Sequence, residues 1–179
     1  MADDAAFHRE QKQVAAGMAA AALIAIAAIG ITLWQGGGGA QPVGERLAAA
    51  LRLELFVIVW LLASIGNVAR LRFFSAQDIA GSATTTASQT VRQGNAILQN
   101  TLEQVVLAVA VHLALAATLP RPEALITALV VLFGAGRLFF WLGYARGAAG
   151  RAFGFALTFY PSAFSLIVGF FLILTGRAA

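Results

Sequence analysis

Two stretches in tandem, Leu98-QNTLEQVVLAVAVHLALAAT-Leu119 and Ala124-LITALVVLFGAGRLFFWLG-Tyr144, with only Pro120-Arg-Pro-Glu123 between them, decide how this chain folds. A helix needs about 20 apolar residues to cross a hydrocarbon layer of roughly 30 Å, and each stretch meets that length. A strand-built barrel would need shorter segments of alternating polarity, and Val105–Leu119 does not alternate. Both segments are therefore membrane helices. Pro120 and Pro122 end the first and start the second, so the two are expected to lie antiparallel.

Working outward, three further runs have the same character: Val14–Trp34, Leu47–Ala69 and Phe153–Leu174. The whole chain of 179 residues is 60% hydrophobic and 11% charged, whereas soluble domains carry about 25% charged residues. The fold class expected is all-α, an integral membrane helical bundle of five crossings. The first run follows Arg9 and Lys12, which also fits a secretory signal peptide, but its apolar stretch exceeds a typical signal core and a retained helix is expected. Residues 1–35 then form an N-terminal helix, residues 36–46 a Gly-rich linker, and residues 47–179 a four-helix membrane domain. Arg52 and Glu54 fall inside the second run and are expected to snorkel to the interface. The polar Ser/Thr/Gln-rich stretch Arg70–Asn95 reads as a long connection, and the glycines of Ala145–Gly150 as a turn.

The net charge of +4 does not point to nucleic acid, because the twelve basic residues are scattered singly without interleaved aromatics. Five crossings put Arg9, Lys12, Arg70, Arg72, Arg92, Arg146 and Arg151 on one side, here side A, and Arg46, Arg52, Arg121 and Arg177 on side B. The cation excess assigns side A and the amino terminus to the cytoplasm, and the carboxyl terminus to the opposite side. An Ala-rich, nearly Lys-free composition suggests a bacterial inner membrane. With no cysteine and two histidines, disulfides, cysteine nucleophiles and the usual zinc sites are excluded, so any thiol must come from a ligand.

Charged groups at membrane depth are costly unless partnered. On the third helix Arg92, Ala96, Asn100 and Glu103 share a face, and the fourth carries Arg137, Phe140 and Tyr144 along one stripe. Glu103 and Arg137 are the expected ion pair. Two readings follow: a pair that only fixes helix register, or one wall of a polar pocket with Asn100, Gln104, Tyr144 and Arg151 that opens to side A. The number of polar groups at one level favours the pocket. His112, deeper and among apolar neighbours, reads as a helix-to-helix hydrogen bond. Gly134, Gly136, Gly143, Gly154 and Gly169 read as close-packing positions, since no strand precedes them as a phosphate-binding loop requires.

The block Asn100-Thr-Leu-Glu103, then Arg137-LFFWLG-Tyr144-AR-GAAG-Arg151 and Thr158-Phe-Tyr-Pro161, resembles the MAPEG family, the membrane-associated proteins in eicosanoid and glutathione metabolism, over roughly Phe56 to Leu174. The resemblance implies four helices per subunit, a homotrimer, and glutathione held between subunits near the cytoplasmic side. It implies that Asn100 and Glu103 hold the glutathione peptide, that Arg137, Tyr144 and Arg146 assist, and that Arg151 activates the thiol; Arg70 and Arg72 resemble the arginines closing the family's first helix. The implied activity is a glutathione-dependent transferase or peroxidase acting on a lipophilic molecule that arrives through the bilayer, with Phe139, Phe140, Trp141 and Phe155 as its walls. The chain departs from the pattern in three places: Ala96 replaces an arginine, with Arg92 one turn away, Gln104 stands where tyrosine is frequent, and Phe140 lacks a polar atom. Together with the additional first helix, these changes also suit a non-catalytic scaffold, or an accessory subunit of a larger membrane complex joined through that helix. A transporter path along Glu103 and Arg137 is a third reading, weakened by the absence of an internal repeat.

Overall fold

The computed structural model describes residues 2–34, 39–81 and 87–176. Residues 36–38 of the expected glycine linker, residues 82–86 of the connection after the second helix, and Arg177 lie outside the described residues, and the linker ends sooner than expected because α2 already begins at Val43. The elements are α1 (Ala2–Trp34), α2 (Val43–Phe73), α3 (Gln89–Thr118), α4 (Glu123–Gly143), a 3-10 turn (Tyr144–Arg146) and α5 (Gly147–Leu174). Four stretches are long and apolar enough to cross a membrane: Asp4–Trp34, Val43–Phe73, Gln89–Thr118 and Glu123–Leu174. The last of these folds back on itself at the 3-10 turn, so the described residues form an all-helical membrane bundle of five long helices.

The helices are longer than the apolar runs that announce them. α1 begins at Ala2 rather than Val14, because Ala, Glu, Gln and Lys are good helix formers and carry the helix beyond the apolar run. α3 begins at Gln89 rather than Leu98, capped by the Ser88 hydroxyl, which accepts from the Val91 amide at 3.3 Å. Asp78 accepts from the Ser88 amide at 2.9 Å and from the Ser75 hydroxyl, tying the start of α3 to the end of α2. The long connection therefore shrinks to the residues between Phe73 and Gln89.

At side B the turn between α3 and α4 is pinned to the start of α2. The Gln41 amide donates to the Pro120 carbonyl at 3.3 Å, and the buried Arg46 guanidinium donates to the Leu119 carbonyl. At side A, α4 and α5 meet with their backbones in contact. A Cβ on Gly143 would strike the Gly150 carbonyl, and one on Gly154 would strike the Phe140 backbone, so only glycine allows this approach. The chain reverses through Gly147, whose φ of 78° suits a residue without a side chain.

α1 packs along α5 and more lightly against α4. Gly17, Ala21 and Ala25, four residues apart, form the seam: Gly17 lies against the Phe153 backbone, and Ala21 joins Ala156 and Leu157 in one buried cluster. The two helices run parallel, with Glu10 beside Gly147 at one end and Ile29 in the same cluster as Phe164 and Leu172 towards the other. The opposite face of α1, including Leu23, Ile26 and Leu33, is exposed and suited to lipid.

Candidate functional site

Arg137 has no exposed surface, and its position is set by α4 and α5 together. One guanidinium nitrogen donates to Asn100 Oδ1 on α3 at 2.9 Å and another to Thr158 Oγ1 on α5. The Thr158 hydroxyl donates in turn to the Phe155 carbonyl at 2.8 Å. The expected ion pair with Glu103 is not formed. Glu103 is exposed and accepts a hydrogen bond from Gln99, one turn earlier on the same helix, at 3.0 Å. The reason is rotational: Asn100 takes the α3 face towards α4, and Glu103, three residues on, falls to one side of it.

From Arg137 towards side A, cations and rings alternate. The Arg137 guanidinium lies 4.5 Å from the centre of the Phe140 ring, Phe140 meets Tyr144 edge-on at 5.3 Å, and Arg151 lies 4.7 Å from the centre of the Tyr144 ring. Each guanidinium is attracted to a ring face, which orders it without neutralising it. Phe140 thus retains the aromatic face that Arg137 uses, although it has no hydroxyl to offer. Arg151 sits in the second turn of α5, which begins at Gly147.

Beside this stack is a recess of about 350 Å³, lined by Ala96 and Asn100 of α3, Phe140 and Tyr144, Ala148, Arg151, Ala152 and Phe155 of the α4–α5 hairpin, and Val14 and Met18 of α1. Its polar groups are the Asn100 amide, the Tyr144 hydroxyl and the Arg151 guanidinium, and its remaining wall is hydrocarbon and aromatic. This arrangement can hold an anion against Arg151 while keeping an apolar group out of water.

A model of the MAPEG family matches residues 47–171, from the second turn of α2 to near the end of α5. The chain belongs to the MAPEG family. No match was found among curated proteins or among solved structures. The MAPEG region contributes every polar group of the recess, and α1, which lies outside the match, contributes Val14 and Met18.

The remaining sequence-derived positions are dispersed around this MAPEG bundle. Asn100, Tyr144 and Arg151 line the recess, and Arg137 stands behind Asn100. Arg146 and Arg92 are exposed and do not line it, and Gln104 is buried outside the lining with Oε1 unpaired. Arg70 bonds Asn67 Oδ1 at 3.1 Å, and with Arg72 it occupies the last turn of α2, where cations complement the helix dipole. Of the expected aromatic walls only Phe140 and Phe155 line the recess, because Phe139 packs edge-on against Phe153 and Trp141 against Trp60.

Two residues were missed. Thr158 is the second anchor of Arg137, and its spacing from Gly154 and Arg151, four and seven residues, marks it as a neighbour on one helix face. Glu54 does not snorkel: it is 1% exposed and lies 2.7 Å from Nδ1 of His112, also 1% exposed. His112 does make a helix-to-helix hydrogen bond, as expected, and its partner is this carboxyl group. Arg52 is exposed.

Proposed function

We propose that the protein binds glutathione as its thiolate in this recess and transfers the sulfur to a lipophilic electrophile, as a membrane-embedded transferase or peroxidase. The observation that carries the reading is the Arg151 guanidinium, ordered over Tyr144 at the rim of a recess that is otherwise apolar. A guanidinium beside a thiol favours the thiolate and so supplies the nucleophile at neutral pH. With a chlorinated aromatic substrate the sulfur lone pair forms a carbon–sulfur bond, and chloride leaves with the bonding pair. With a lipid hydroperoxide, two thiols give a disulfide, an alcohol and water. Phe140 and Phe155 receive the apolar part of either substrate.

The donors in the recess suit the sulfur and a carboxylate of glutathione, but among the described residues no carboxylate lines it to meet the ammonium group. Glu103, exposed on α3 among apolar residues such as Leu102 and Val106, is the group to supply from a neighbouring copy, in the homotrimer with the thiol between subunits that the family resemblance implies. Arg92, Arg146, Arg70 and Arg72 serve as peripheral cations near the side A surface in this reading. Residues 1–35 act as a helix added to a MAPEG domain that starts with α2 at Val43, with the glycine-rich stretch before Val43 as the linker, side A in the cytoplasm and the bilayer a bacterial inner membrane.

The alternative is a non-catalytic scaffold or accessory subunit. It draws on Ala96, which lines the recess without a charge, and on Glu103, which faces away from it. Thermal unfolding in detergent separates the two. The enzyme reading expects saturable stabilisation by millimolar glutathione, about 2.7 kcal/mol at a hundredfold excess over Kd. Glu103→Ala abolishes that shift without unfolding the protein, because its side chain is exposed. No shift at any thiol concentration leaves the scaffold reading standing.

A further inference from the structure

The recess is built by two parts of the chain with different chemistry. The MAPEG-matched helices bring the amide, the phenol and the guanidinium, and α1 brings two apolar side chains, Val14 and Met18, which line the same space. Their placement follows from the α1–α5 seam. Gly17 lets α1 approach the Phe153 backbone, with 3.3 Å between its would-be Cβ and the Phe153 nitrogen. That approach leaves Val14 and Met18, which flank Gly17 by three residues and one, facing the gap in front of Phe155 and Tyr144. Without α1 the hydrocarbon side of the recess would open directly to lipid.

We infer that α1 is the specificity wall of the site: Val14 and Met18 contact the apolar portion of the electrophile and set the size it can have, while Arg151 and Asn100 hold the thiol. The inference rests on the thiol reading above, but it concerns residues that lie outside the family match. Hydrophobic walls discriminate by steric fit, so trimming one enlarges the accepted substrate without touching the thiol. Met18 suits the role because its unbranched side chain adapts to irregular shapes.

The absence of cysteine makes a direct test available. Val14→Cys, Met18→Cys and Ile24→Cys each place a single thiol on α1, the last on its exposed face. N-ethylmaleimide labelling is followed with and without S-hexylglutathione, which carries an apolar tail on the sulfur. At about ten times its Kd the ligand is expected to slow labelling of Val14→Cys and Met18→Cys roughly tenfold, and to leave Ile24→Cys unchanged. Met18→Ala is expected to shift the kcat/KM preference for a long-tailed over a short-tailed electrophile by about tenfold. If S-hexylglutathione stabilises the wild-type protein but labelling at positions 14 and 18 is unprotected, or is already blocked in the ligand-free protein, the wall assignment is overturned and the thiol reading survives. If the wild-type protein shows no stabilisation, the thiol reading falls and the wall assignment with it.

Discussion

Among the described residues, two polar clusters within the apolar helices differ in what surrounds them. Glu54 and His112 bridge α2 and α3, each 1% exposed, against a cluster that includes Ala50, Val57, Ala108 and Ala116. Arg137, equally buried, is held by Asn100 and Thr158, and Asn100 has one side on an open recess. A buried ionisable group is therefore not by itself a sign of a site. What distinguishes the Arg137 cluster is the space beside it, with a second guanidinium at its rim.

The largest effect expected concerns the closed cluster. Glu54→Ala leaves His112 without its partner at membrane depth and is expected to cost about 3 kcal/mol in unfolding from mixed micelles. The glutathione-induced shift should persist in the protein that remains folded. A variant that keeps its stability but loses the thiol response would show that the two clusters act as one. Next comes Arg151→Ala, expected to lower turnover with a chlorinated aromatic electrophile about a hundredfold, equivalent to roughly 2.7 kcal/mol, with little change in unfolding. An unchanged rate would remove Arg151 from the chemistry.

A smaller effect sharpens the contrast. Replacing both Glu54 and His112 by leucine removes the carboxyl and the imidazole together, and stability is expected to stay within about 1 kcal/mol of the wild type. A loss as large as that of Glu54→Ala would mean that the pair contributes more than mutual satisfaction. The smallest effect lies outside the span. Hydrogen bonds from the Ser75 and Ser88 side chains and the Ser88 amide hold the Asp78 carboxyl below its ordinary value of 3.8. A lowered folded value means that the link between α2 and α3 is fully supported above pH 3.8 and weakens as the pH falls through that lowered value. Amide exchange at Ser88 is expected to quicken in that acid range, and Asp78→Asn to remove the pH dependence.

Much of this was readable from the chain. The apolar runs showed the helices, Pro120 and Pro122 the turn at side B, and the glycines the close α4–α5 approach, because each is a local signal. Asn100, Tyr144 and Arg151 were singled out by their type and depth, and they meet at one recess. Partner choice was not readable. Glu103 and Glu54 are both carboxylates within apolar helices, and only the rotation of α3 against α2 and α4 decides that His112 meets Glu54 while Arg137 meets two neutral oxygens. The docking of α1 was also hidden. Its span is apolar on every side, so periodicity names no inward face, and the contact depends on Gly17 meeting a backbone far along the chain.

That contact has a consequence for biosynthesis. Because α1 emerges from the ribosome first and its partner α5 last, the seam cannot close until the other helices have been inserted, roughly ten seconds or more at ordinary elongation rates. During that interval Val14, Gly17 and Met18 face lipid or the translocation machinery. The newborn protein thus acquires Asn100, Arg137 and Tyr144 before the helix that completes the cavity around them, and a pause ahead of α5 would leave Arg137 without Thr158.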